Sequence, residues 1–94
     1  MISDKTIDAV RDLPIEDVLT AYGLQFRRRG STMFASCPFH TERTPSFSIT
    51  PGKNMWYCHS CHRGGDGIKF YMEKEGLDFS GAVEAIAKAN NICI

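Results

Sequence analysis

This chain of 94 residues predicts an α+β fold: a small antiparallel sheet flanked by N-terminal and C-terminal helices. Three observations carry that expectation. Apolar residues recur with a helical period at both ends of the chain, while the middle alternates with a period of two between Gly and Pro turns. Two short turns rich in ligand-type side chains, Cys37-Pro38-Phe39-His40 and Cys58-His59-Ser60-Cys61, fall where strands would end.

The elements follow in order. Asp4 to Arg11 reads as a short helix with Ser3 as its cap. In the next segment Ile15, Val18, Leu19 and Tyr22 fall at i, i+3, i+4 and i+7, Pro14 suits a first helical residue, and Gly23 ends the run. Helices are therefore expected over about 4–22 and the sheet over about 24–58. Leu24–Arg27 and Thr32–Ser36 form strands turned at Arg29-Gly30-Ser31. Ser46–Thr50 and Asn54–Cys58 form a second hairpin around Pro51-Gly52. Helices resume over about 66–90. Asp66 caps the first, which places Ile68, Tyr71 and Met72 on one face and stops at Gly76; the second runs from Phe79 to Asn90 with Phe79, Val83, Ile86 and Ala87 inward. The order is αα–ββββ–αα in a single unit spanning 1–94.

Composition narrows the function classes. Apolar residues make up 43% of the chain, and no run approaches the ~18 that a membrane span needs. The first residues carry neither a basic nor an apolar leader segment, which predicts a reducing, cytoplasmic setting where paired cysteines hold metal more often than a disulfide. The net charge is zero but unevenly spread: −3 over residues 1–23, +5 over 24–65 and −2 over 66–94. A neutral chain with a basic centre suits local contact with an anion and does not suit indiscriminate coating of nucleic acid.

The two knuckles, seventeen residues apart, have the spacing of a tetrahedral zinc site. Cys37, His40, Cys58 and Cys61 are the expected ligands of one structural Zn²⁺, His40 as a neutral imidazole, and the sheet is then zinc-ribbon-like. A metal also compensates for the thin core of so short a chain. Two other chemistries fit less well. A redox C-x-x-C opens a helix directly, whereas Cys61 is followed by His62-Arg63-Gly64-Gly65. A zinc deaminase shares the pattern His40-Thr41-Glu42. It also needs an open coordination position, which Cys37 would close, and a helix for the glutamate, which Thr44-Pro45 breaks. His59 and His62 lie beside the second knuckle without an assigned role, and Cys93 reads as a small buried apolar residue.

Cations and rings are mixed along the strands. Arg28 lies in the Arg27-Arg28-Arg29 turn, which as a default is a solvated loop, and Arg43, Lys53, Trp56, Tyr57 and Arg63 flank the knuckles. Cations that meet phosphates and rings that stack on bases are the usual means of binding single-stranded nucleic acid. In a strand Trp56 and Tyr57 cannot share a face, so one of them belongs to the core. Phe34, Phe39, Phe47 and Ile49 are assigned to packing.

The string Cys37-Pro-Phe-His40-Thr-Glu42-Arg43-Thr-Pro45-Ser46-Phe47, followed by Lys53, Cys58-x-x-Cys61 and Gly65-Asp66, resembles the CHC2 zinc-binding domain of bacterial DnaG-type DNA primases, over roughly residues 4–92. The resemblance implies a non-catalytic N-terminal module that engages a single-stranded DNA template and helps select where an RNA primer starts. It implies Cys37, His40, Cys58 and Cys61 as zinc ligands, and Arg43, Lys53 and the Trp56/Tyr57 pair as nucleic-acid contacts. The implied partners are a Toprim-type polymerase domain, in the same or another chain, and a replicative helicase. The Toprim acidic pair D-x-D is absent from these 94 residues, so no phosphoryl transfer is expected of them. His62 and Arg63 after the last cysteine depart from the small residue frequent in the family. A zinc-stabilised protein–protein docking module of a replication or mobile-element protein is the alternative function.

Overall fold

The computed structural model describes residues 3–39 and 46–92. His40, Arg43, Pro45 and Cys93 lie outside the described residues. Among the described residues four helices and five strands succeed one another: α1 (Asp4–Asp12), α2 (Ile15–Tyr22), β1 (Arg27–Arg29), β2 (Thr32–Ala35), β3 (Phe47–Thr50), β4 (Met55–Cys58), β5 (Arg63–Gly65), α3 (Gly67–Glu75) and α4 (Phe79–Ala89). The α+β expectation holds. The sheet is antiparallel throughout, with strands in sequence order from β1 to β5.

The expected helix signals are present. Ser3 Oγ accepts the Thr6 N–H, Asp66 Oδ1 the Lys69 N–H and Asp78 Oδ1 the Gly81 N–H, so α1, α3 and α4 each begin on a side-chain cap. Helix α2 is different. Pro14 at its cap position offers no side-chain acceptor. Asn54, in the turn between β3 and β4, supplies one instead: its Oδ1 accepts the Ile15 N–H at 2.6 Å, and its Nδ2 donates to the Leu13 carbonyl at 3.1 Å. A single side chain thereby ties the sheet to the α1–α2 junction.

One face of the sheet carries Phe47, Ile49, Trp56 and Cys58, all buried, and the helices cover it. Its centre is aromatic. Trp56 stacks on Phe47 at 5.3 Å with an interplanar angle of 18°, and Phe70 of α3 meets both edge-on. Phe39, from the first knuckle, packs against Trp56 and Phe70, so that turn is anchored in the core. The Trp56 Nε1–H donates to the Asp66 carbonyl at 2.7 Å, which satisfies the indole where it is buried.

Three expectations are corrected here. The sheet has a fifth strand, because Arg63-Gly64-Gly65 pairs with Cys58-Tyr57-Trp56 despite its lack of β-forming side chains. Gly64 is needed there: a Cβ at this position would lie 2.9 Å from the Trp56 carbonyl oxygen and 2.9 Å from Tyr57 Cδ1. Phe79 is 37% exposed on the first turn of α4, under the Arg11 guanidinium, while Phe70 takes the fully buried place. Phe34 does not join the core, for reasons of register described below.

Candidate metal centre and sheet face

The thiols of Cys37, Cys58 and Cys61 come from three points on one end of the sheet: two residues past β2, the last residue of β4, and two residues before β5. Pairing of β2 with β3 and β3 with β4 sets Ala35, Phe47 and Cys58 in one cross-strand line, which brings the first knuckle beside the second. The second knuckle turns back on itself through two backbone bonds. The His62 N–H donates to the Cys58 carbonyl at 2.8 Å, with His62 at φ 57°, and the His59 N–H donates to the Ser46 carbonyl at 2.9 Å.

The three sulfurs lie within 4.8 Å of one another. Cys37 Sγ is 3.2 Å from Cys58 Sγ and 3.4 Å from Cys61 Sγ. A disulfide requires about 2.05 Å. Sulfurs sharing a tetrahedral Zn²⁺ at ~2.3 Å stand about 3.8 Å apart. All three cysteines are free, and their spacing is near the second value. Soft thiolates on tight turns, two of them buried, suit Zn²⁺ by chemistry as well as by distance.

The thiols differ in acidity. Burial works to raise that of Cys58, but hydrogen bonds from Ser60, Cys37 and the Cys61 backbone N–H outweigh it and hold the group below the ordinary thiol range. Burial pushes Cys37 well above that range, helped by its hydrogen bond with Cys58. Metal binding must displace the protons that the thiols hold without it.

The opposite sheet face is partly exposed among the described residues, with Ser48 on it buried. Directly paired residues share a face, so the register Arg27–Phe34–Ser48–Tyr57–Gly64 is a line of side chains crossing all five strands on the side away from the helices. Thr50 and Met55 form a neighbouring pair on the same side. Tyr57 is 41% and Met55 49% exposed, and the His59 ring stands edge-on to Tyr57 at 4.9 Å. Ser48 Oγ donates to the Tyr57 carbonyl at 3.3 Å.

Of the candidate nucleic-acid residues, Tyr57 lies on this face. Trp56 does not: it is 1% exposed, stacked in the core and hydrogen-bonded, so it cannot receive a base. Arg28 belongs to the other row, paired with Met33, and its Nη2 lies 3.9 Å from Met33 Sδ at the sheet edge. Arg63 shares a row with Cys58. Its guanidinium sits 5.1 Å above the Phe39 ring and 3.9 Å from Glu73, so it braces the first knuckle. Lys53 is exposed in the 3-10 turn Pro51–Lys53, at the end of the sheet away from the thiols and beside the β1–β2 turn. Sequence reasoning missed Arg27, Phe34 and Met55 as outer-face residues. Alternation within each strand carried the needed signal, but only the register between strands shows which rows line up.

The family model for the CHC2 zinc finger matches residues 2–94. The chain is 44% identical over 91 residues to the DNA primase of Treponema pallidum, covering 97% of this chain and 15% of that protein. It is 41% identical over 87 residues to the DNA primase of Geobacillus stearothermophilus, covering 92% and 14%. Among solved structures it superposes on the zinc-binding and RNA polymerase domains of the Aquifex aeolicus primase with a TM-score of 0.81 and 35% identity, over 100% of this chain and 23% of that one. The chain thus spans about one seventh of the length of the curated relatives it matches. Among the described residues no helix is long and apolar enough to cross a membrane. With its gathered thiols and strand-end knuckles, the chain belongs to the CHC2 zinc finger family, and zinc is its metal.

Proposed function

We propose that this chain is the template-recognising zinc module of a DNA primase, and that single-stranded DNA lies across the outer face of its sheet. The observation that carries the reading is the cross-strand line Arg27–Phe34–Ser48–Tyr57–Gly64, which combines a cation, two rings and small residues on the sheet face away from the helices. Phosphates would meet Arg27 and Arg29 on β1, with Arg28, Lys53 and Arg63 around the rim; Arg43 would be a further phosphate contact. Bases would stack on Tyr57 and Phe34. Cys37, Cys58 and Cys61, with His40 as fourth ligand, would hold one Zn²⁺. When bound, the metal supplies a rigid crosslink between the two knuckles, and four protein ligands leave no position for a catalytic water.

The chain itself orients the template and makes no bond. Polymerisation belongs to a Toprim-type domain, and a replicative helicase is the further partner. The primase relatives, of which this chain matches the zinc-binding portion, support that division of labour. Fluorescence anisotropy of the zinc-loaded chain with short single-stranded DNA at two salt concentrations tests the proposal. Affinity should fall as salt rises. Tyr57→Ala and Phe34→Ala should each weaken binding by about 1–3 kcal/mol, as expected for a lost base stack. Binding that ignores salt and both substitutions would exclude the sheet face.

A further inference from the structure

Two serine hydroxyls converge on one sulfur of the metal cluster. Ser60 Oγ lies 3.4 Å from Cys58 Sγ, Ser46 Oγ lies 3.8 Å from the same sulfur, and the two hydroxyl oxygens are 3.0 Å apart. The serines come from different segments, Ser46 at the entry to β3 and Ser60 inside the second knuckle, and the Ser46 carbonyl also takes the His59 N–H. Cys58 is fully buried, and its sulfur also lies 3.2 Å from Cys37 Sγ.

We infer that Ser46 and Ser60 form a hydroxyl relay that fixes and stabilises the Cys58 thiolate as the anchoring zinc ligand. In this reading the distances order the relay. Ser60 is the nearer hydroxyl, so it donates to Cys58 Sγ; Ser46 donates to Ser60 Oγ and polarises it. Thiolates bound to zinc keep negative charge, and at a fully buried sulfur that charge requires donors. The relay adds two hydroxyls to one chosen ligand and ties β3 to the second knuckle. Both serines are positioning residues: they act through Cys58.

Competition of the zinc-loaded chain with a chromophoric chelator gives the zinc affinity of the wild type, Ser60→Ala and Ser46→Ala. Groups that orient metal ligands typically change affinity about 10–100-fold. Ser60→Ala should lose about tenfold or more, Ser46→Ala less, and Ser60→Thr should restore most of the loss. In the Co²⁺-substituted chain, the sulfur-to-metal charge-transfer band should move to lower energy in Ser60→Ala, because a thiolate without its donor gives up charge more readily. A purely structural role for the hydroxyl would leave that band in place. Unchanged affinity together with an unmoved band in Ser60→Ala would overturn the inference, as would a larger effect from Ser46→Ala than from Ser60→Ala. None of these readouts depends on DNA, so the outcome is separate from that of the template reading.

Discussion

Asn54 carries more of the fold than a turn residue ordinarily does, and its removal gives a graded test. Its side chain makes the two hydrogen bonds that close the start of α2, to Ile15 N–H at 2.6 Å and from Nδ2 to Leu13 carbonyl at 3.1 Å. Its backbone sits at φ 55°, in the left-handed region. Asn54→Gly keeps that conformation comfortable and deletes only the side chain. Two bonds at about 0.5–1.5 kcal/mol each predict a loss of about 1–3 kcal/mol. The junction is partly exposed, so water replaces some of what is lost and the lower half of that range is expected. Asn54→Ala loses the same bonds and adds a left-handed alanine, a further ~1 kcal/mol. In a chain this small, 1 kcal/mol moves Tm by roughly 4–8 °C. Thermal unfolding followed by circular dichroism in saturating zinc should therefore place Asn54→Gly about 4–16 °C below the wild type and Asn54→Ala lower still. Hydrogen exchange should quicken first in α2. A Tm for Asn54→Gly equal to that of the wild type would refute the reasoning, because among the described residues no other side chain caps this helix.

Three further outcomes follow from the packing. Gly64→Ala should cost about 1–3 kcal/mol, since the new methyl meets the Trp56 carbonyl, whereas Gly65→Ala should cost less because it meets only the flexible Lys69 side chain; urea midpoints of the two variants compare them. Burial, then the hydrogen bond to Glu75 and its charge, raise Tyr22 from 10.0 to about 12. The folded state thus holds this proton more tightly than the unfolded one. The contribution is complete below pH 10, fades as pH rises toward 12, and should be absent from the pH dependence of urea midpoints in Tyr22→Phe. A strong chelator should unfold the sheet end first, with three thiols becoming reactive toward a thiol reagent as the far-ultraviolet signal changes; unreactive thiols after zinc removal would contradict the site.

The parts legible in the sequence are those whose signals are local. The knuckle spacing, the caps at Ser3 and Asp66 and the alternation of Met55–Cys58 all act within a few residues, and the structure follows them. Alternation required one of Trp56 and Tyr57 to be core without deciding which; the structure places Trp56 inside, against Phe47, Phe39 and Phe70. Phe34 looked like core because a ring in a strand usually is. It faces outward because its partners across the sheet are Arg27 and Ser48, a relation between segments that no single strand reveals. Strand β5 was invisible for the opposite reason: Arg63-Gly64-Gly65 has almost no intrinsic preference for a strand, and pairing with β4 imposes one. The capping of α2 by Asn54, 39 positions away, is likewise a tertiary fact, and the lack of a side-chain acceptor at Pro14 was its only local trace.

Backbone amide chemical-shift mapping of the zinc-loaded chain on titration with short single-stranded DNA tests the central reading most directly. The account predicts shifts concentrated on β1, β2 and β4, at Arg27, Phe34 and Tyr57, with α1 and α2 silent and the buried Trp56 indole signal little moved. Shifts confined to the helices, or none at low salt, would contradict it.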